Sequence, residues 1–291
     1  MDVSDNTLKW LHFAALVGHT VQGAAGEALV NTTFKDKSIF SATNPVATRP
    51  GEIGLDAKLR TNHIGSFQLN HLVPVFSFLS AVNHGWAFFD NKRYMQYVEA
   101  GYNPVRWAEF AVSAGIMNVV IGALSGLNDV KGWSYLLLSN AALQATGYAI
   151  ERDTATSLNS LSRVHRRDSA LAAQRLQVIG FLIFVSILAP IWTAFFTSIV
   201  QAPDPDDIPS FVWAIVFILT ALYLTFGLVS LAYSRAALAE KGAPNGWLAF
   251  RQSNFRKIEV MYIILSFTSK TFLANMTLLG ATNSRSTTTQ A

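Results

Sequence analysis

Lys270 stands near the middle of an otherwise apolar stretch that runs from Ile258 to Gly280. Wound as a helix rising about 1.5 Å per residue, that stretch puts Lys270 about 15–18 Å from either end. A lysine stem snorkels to a surface from the last turn or two of a span, but not from that depth. An amine deprived of water and counter-charge favours its neutral form, and a neutral amine is a nucleophile that condenses with aldehydes to a Schiff base. Once protonated, such a base is a cation and needs a carboxylate beside it. Arg106-Trp107-Ala108-Glu109 supplies one, with Glu109 about one helical turn in from Arg106 and Ser113 four residues further along the same face. Glu259, Ser266 and Lys270 are spaced 0, 7 and 11, which is again one helical face. The plain alternatives are a structural ion pair for Lys270 and, for Glu109, a helix-start charge favoured by the dipole.

The elements that must position these groups are apolar helices. Of 291 residues, 51% are hydrophobic and 14% charged, against about 25% charged in a soluble domain, so the chain reads as a membrane protein. Seven stretches, near 8–30, 66–89, 104–126, 132–150, 176–200, 209–234 and 258–280, each reach the roughly 20 residues that cross a bilayer. The expected fold is therefore all-α, a seven-transmembrane-helix bundle forming one domain over 1–280, with a disordered tail over 281–291. The first span lacks a basic leader and a small-residue cleavage site and is expected to remain in place. With no cysteine, disulfides, thiolate metal sites and palmitoylation drop out. The net charge of +4 is small and reports topology, not nucleic-acid binding.

Asn103-Pro104 reads as a cap followed by proline at the first helical position, and Asp207, Pro209 and Ser210 open a later helix in a similar way. Pro190 lies inside a span and should kink it, its freed carbonyl being met by a neighbouring helix. The connection 31–65, rich in Asn, Thr, Gly and Pro, reads as a long loop with a functional or interaction role. The arginine-bearing stretch 151–175 reads as a solvated loop facing lipid headgroups. Asn31-Thr32-Thr33 fits a glycosylation sequon. No internal repeat is visible.

With seven spans the termini lie on opposite sides. The N-terminal side collects Lys9, Lys92, Arg93, Arg106, Arg152, Arg163, Arg166, Arg167, Arg175, Arg235, Lys241, Arg251, Arg256 and Lys257, which is 14 basic residues. The other side collects Lys35, Lys37, Arg49, Lys58, Arg60, Lys131 and Arg285, which is 7. The positive-inside rule then puts the N-terminus in the cytoplasm and the C-terminus outside.

Arg106-Trp107-x-Glu109 together with a lysine in the last helix resembles a microbial-type rhodopsin, and specifically a heliorhodopsin. His19-x-x-Gln22, Ser80-x-x-x-His84, Asn140-Ala141, Pro209-Ser210-Phe211-Val212 and Ser266-x-x-x-Lys270 fit that family's pattern. The N-inside count, made from charges alone, agrees with the inverted orientation that separates heliorhodopsins from other microbial rhodopsins. The resemblance implies a light-absorbing photoreceptor of the lipid bilayer, with all-trans-retinal on Lys270 as a protonated Schiff base and Glu109 as counterion. It implies Ser113 and Ser266 as hydrogen-bonding neighbours of that base, with Ser80 and Asn140 also in the site. Met117, Ile121, Trp192, Tyr223 and Phe226 would face the polyene. His19 and His84 would form an inner polar cluster, and the chain would form a homodimer, signalling through a cytoplasmic partner.

Glu27 is expected to face the bundle or an interface and, with Glu259, joins the proton-handling candidates; the plain reading of Glu259 is pairing with Arg256 or Lys257. His12, His63, His71 and His165 give no site signal. An N-inside metal-dependent hydrolase would need three converging histidines and a carboxylate, and the last helix has no histidine. The chain is thus not expected to be an enzyme or to hold a metal. A light-gated proton channel using Glu109, His19, His84 and Glu27 is the alternative output. The charge count makes its own test: a C-terminal tag should label on intact cells and an N-terminal tag only after permeabilisation. The reverse pattern would overturn the orientation.

Overall fold

The computed structural model describes residues 3–33, 40–47, 59–67, 69–159, 163–202, 208–239 and 254–283. Helix α1 is Asp5–Thr33, and an antiparallel hairpin follows, β1 Phe40–Ala47 with β2 Leu59–Phe67. A 3-10 turn, Leu69–His71, leads into α2 Leu72–Phe89, the short α3 Asn91–Ala100 and α4 Pro104–Leu124. Four long helices follow among the described residues: α5 Val130–Asn159, α6 Arg163–Gln201, α7 Ser210–Ala239 and α8 Arg256–Asn283. By length and composition, and among the described residues, 4 helices are apolar enough to cross a membrane: those containing Leu72–Phe89, Pro104–Leu124, Arg167–Gln201 and Ser210–Arg235. The other three long helices, α1, α5 and α8, carry buried charged or imidazole side chains, among them His12, His19, Glu151, Glu259 and Lys270.

Several expectations are corrected. The bundle is all-helical as expected, but part of 31–65, read as a loop, is a two-stranded hairpin, with a register irregularity between Ala42 and Thr43 and Pro45 opposite Thr61. A two-stranded ladder is all edge, so proline's missing N–H is tolerated there, and the Asn- and Thr-rich composition concealed it. The stretch 151–175 is helix wherever it is described, as the end of α5 and the start of α6. It contains neither Gly nor Pro, so helix propensity carries both helices past their apolar windows. The connection after α2 holds α3, capped at Asp90 and ended by Gly101 at φ 83°, a left-handed conformation that glycine adopts without strain. Asn31-Thr32-Thr33 forms the last turn of α1. The tail is helical to Asn283, and 284–291, like Asp207, lies outside the described residues.

Local signals place the functional helices. The Asn103 side chain accepts from the Arg106 N–H at 3.1 Å, and Pro104 occupies the first turn, so α4 starts where the sequence says. α6 runs on through Pro190, and the Ser186 carbonyl that a proline at this position leaves free accepts from the Tyr135 hydroxyl at 3.0 Å. Large apolar side chains such as Phe181, Leu182, Leu224 and Leu228 face outward on α6 and α7, as a hydrocarbon solvent requires. Inside, two apolar clusters form. One gathers Leu8, Ala15, Tyr94, Trp107, Phe110, Tyr233 and Tyr262, and the other Met117, Ile121, Ile187, Val216, Leu219, Leu273 and Leu278. Along α1, α2, α4 and α8 the sequence passes from one cluster to the other through His19, Ser80, Ser113, Ser266 and Lys270, all buried. That polar layer is the candidate site.

Gly147 of α5 lies against the Trp107 indole so closely that any Cβ would overlap the ring. Gly147→Ala improves helix propensity by about 1 kcal/mol. The ring is held by Glu151, Phe110 and Tyr262 and cannot step aside, so overpacking of about 1–3 kcal/mol prevails. The expected outcome is a lowered Tm in thermal unfolding of the purified protein; an unchanged or raised Tm would contradict the packing.

Candidate functional site

Lys270 and Glu109 meet at the centre of the polar layer. Nζ lies 2.7 Å from Glu109 Oε1, with the two side chains 2% and 7% exposed. Ser80 of α2 donates to the same Oε1 at 2.7 Å. The Phe110 ring lies 5.2 Å from Nζ, a cation–π distance. On the other side of α8, Gln22 donates to the Lys270 carbonyl at 3.1 Å, tying α1 to the turn that carries the amine. Burying such a pair costs desolvation comparable to what its attraction returns. Stability therefore does not explain it.

The Ser113 and Ser266 hydroxyls and the Tyr223 phenol are buried and make no hydrogen bond among the described residues. The serine that engages Glu109 is thus Ser80, while Ser113 and Ser266 stand in the layer with hydrogen-bonding capacity to spare. Asn140 donates to the Phe110 and Ala111 carbonyls at 3.1 and 3.0 Å, clamping α5 to α4 opposite Glu109's turn. Met117 and Ile121 continue the Ser113 face of α4 and are fully buried. Trp192 of α6 packs edge-on to Phe217, and Phe226 of α7 edge-on to Phe110.

A second polar assembly occupies the end of the bundle that holds the N-terminus. Arg106 forms ion pairs with both Glu151 and Glu259, each about 1% exposed. Trp107 Nε1 and the Asn103 N–H donate to Glu151 at 2.8 and 3.3 Å. The Tyr94 hydroxyl and the Asn103 amide donate to Glu259, both at 3.0 Å. Glu259 therefore turns inward to Arg106 and not outward to Arg256, which pairs instead with Asp5 at 2.5 Å. Between this cluster and Lys270 stand three histidines. His19 stacks on His84 at 5.5 Å, and His84 Nδ1 lies 2.8 Å from His12 Nδ1.

Glu27 stays outside both assemblies, half exposed and 3.8 Å from His71 at the other end of α1. Its position near the helix end lets it reach polar surroundings without entering the bundle. Sequence reasoning missed His12 and Glu151. His12 lies seven residues before His19, on one helical face, which was the available signal. Glu151 sat in what read as a loop.

A helical membrane bundle with a lysine–carboxylate pair buried at mid-helix has the architecture of a rhodopsin-type pigment protein. The heliorhodopsin family model matches residues 8–282, and the chain belongs to the heliorhodopsin family. Comparison with curated proteins gives no match. The family makes this a rhodopsin-type, light-sensing, multi-pass membrane protein and implies a retinal chromophore. The residues fit that group: a buried primary amine for the aldehyde, a carboxylate already beside the nitrogen, and three buried hydroxyls with unused hydrogen-bonding capacity.

The charge count at the second assembly makes a prediction. Arg106→Gln leaves two buried carboxylates without a cation and should cost about 3–5 kcal/mol. Glu259→Gln leaves one carboxylate with one guanidinium and should cost much less. Thermal unfolding of both variants checks this, and equal losses would mean that the three charges do not act together.

Proposed function

We propose that this protein is a photoreceptor carrying all-trans-retinal on Lys270 as a protonated Schiff base, with Glu109 as counterion, in a seven-span bundle whose N-terminus is cytoplasmic. The observation that carries the reading is the 2.7 Å contact of a buried mid-helix amine with a buried carboxylate. Retinal bound there supplies visible absorption and light-driven isomerisation. The chain's own residues do the rest. Glu109 balances the positive charge at the Lys270 nitrogen through a low-dielectric Coulomb interaction. Ser80 holds Glu109 in place, and Phe110 shields the nitrogen. Ser113 and Ser266 are the neighbours available to hydrogen bond as charge moves. Met117, Ile121, Trp192, Tyr223 and Phe226 would enclose the chain of the chromophore.

His19 and His84 are the economical destination for a proton leaving that nitrogen, since imidazole exchanges protons near neutral pH. In a photoreceptor that proton is held and returned, and a slow cycle alters the cytoplasmic face seen by a partner. Homodimer formation fits the same reading. A channel would continue through Glu27 to the outside, but Glu27 is half exposed beside His71, which favours the sensory output. Photocurrents that reverse with the proton gradient and fall in Glu27→Gln would favour the channel instead.

Purified protein supplied with all-trans-retinal should gain a visible band that Lys270→Ala abolishes; a covalent pigment surviving in that variant would sink the assignment. Glu109→Gln should bleach at lower pH than the parent, or become halide-dependent in colour as a soluble anion replaces the lost charge. An unchanged spectrum and titration would remove Glu109 from the counterion role.

A further inference from the structure

Two sets of buried groups remain unused by this reading: His12, and the carboxylates gathered on Arg106. We infer that they form one proton path, in which a proton leaving the Lys270 site passes from His84 through His12 to Glu259, so that the Arg106–Glu151–Glu259 cluster is a proton-accepting site. The inference rests on the photoreceptor reading and adds to it a terminus and a link.

The link is geometric. His84 and His12 face each other through their Nδ1 atoms at 2.8 Å, so one ring donates and the other accepts. With His84 donating, His12 accepts on Nδ1 and carries its hydrogen on Nε2, an atom that is buried and without a hydrogen bond among the described residues. His12, His84, Tyr94, Arg106, Glu259 and Ser266 line one cavity of about 20 Å³, enough for one water. Ser266 is one turn from Lys270, so the cavity reaches from the amine's helix turn to the cluster. Tyr94 sits edge-on to His12 at 4.5 Å, with its hydroxyl on Glu259.

The terminus follows from charge. Glu151 and Glu259 share a single guanidinium, and their remaining partners, Tyr94, Asn103 and Trp107, are neutral donors. Two ionised carboxylates on one Arg106 leave one negative charge unmatched where water is scarce, and a single added proton cancels it. The transfer balances. A proton arriving on the far nitrogen of His84 sends its Nδ1 hydrogen to Nδ1 of His12. The Nε2 hydrogen of His12 leaves through a cavity water to a Glu259 oxygen. Both imidazoles end neutral with tautomers exchanged, no electron moves, and the return journey restores them.

The test uses the full chain in bilayers. In retinal-free protein with nitrogen-labelled histidine, magnetic resonance should show one Nδ1–H···Nδ1 pair and a protonated Nε2 on His12. That pattern should disappear in His12→Phe, whose ring fills the same place against Tyr94. In retinal-loaded protein, light-minus-dark infrared spectra should show a carboxylic-acid C=O band rising as the Lys270 nitrogen loses its proton. Glu259→Gln and His12→Phe should each abolish the band while keeping the dark visible colour. A pigment that cycles without any such band would overturn the inference and leave the photoreceptor reading standing, whereas no pigment at all would strike that reading itself. A band lost only in Glu151→Gln would overturn the choice of Glu259, and one that survives in His12→Phe would overturn the route.

Discussion

An ammonium and a carboxylate that have given up water must find each other, and in this molecule Lys270 of α8 and Glu109 of α4 do so inside the bundle. Lys270 and Glu109 set the terms for their surroundings. Ser80 is needed on α2 because a carboxylate with one partner still has acceptor capacity to satisfy. Gln22 and Asn140 act on the backbone, holding α1 against α8 and α5 against α4, so the charged atoms keep their separation. Two apolar clusters close the layer above and below, which keeps the local dielectric low and the Coulomb interaction strong.

The Arg106 assembly obeys the same constraint with a different balance. One guanidinium faces two carboxylates, and neutral donors from Tyr94, Asn103 and Trp107 complete their shells. It ties together the first turn of α4, the end of α5 and the first turn of α8, so the helix ends near the N-terminus are joined by polar contacts. The opposite half of the bundle is held by apolar packing around Met117, Ile187, Val216 and Leu273. A proton moved between the two polar assemblies would change interactions at helix ends directly.

Much of the candidate site was legible in the chain. A lysine at the centre of an apolar stretch and a carboxylate one turn into another are visible because charge is rare in such segments and helix length fixes depth. The starts of α4 and α7 were legible from Asn103-Pro104 and Pro209-Ser210, since capping is a local matter. The carbonyl freed by Pro190 was foreseeable, though not that Tyr135 would reach it. The hairpin and α3 were hidden, because short elements among Asn, Thr, Gly and charged residues carry weak periodicity. The extensions of α5 and α6 were hidden because a polar stretch without Gly or Pro looks like a loop by charge and like a helix by propensity.

Sequence alone therefore determined the class of protein and picked out the buried lysine and the carboxylate that the fold brings to it, all of which depend on residue type and position along one helix. Periodicity says which residues share a face; it does not say which helix that face meets. Only the tertiary structure decided that Ser80, not Ser113 or Ser266, holds Glu109, that Arg106 turns away from Glu109 to Glu151 and Glu259, and that His12 completes the histidine row. Those partners lie tens to more than a hundred residues apart, and their meeting is decided by how the helices pack.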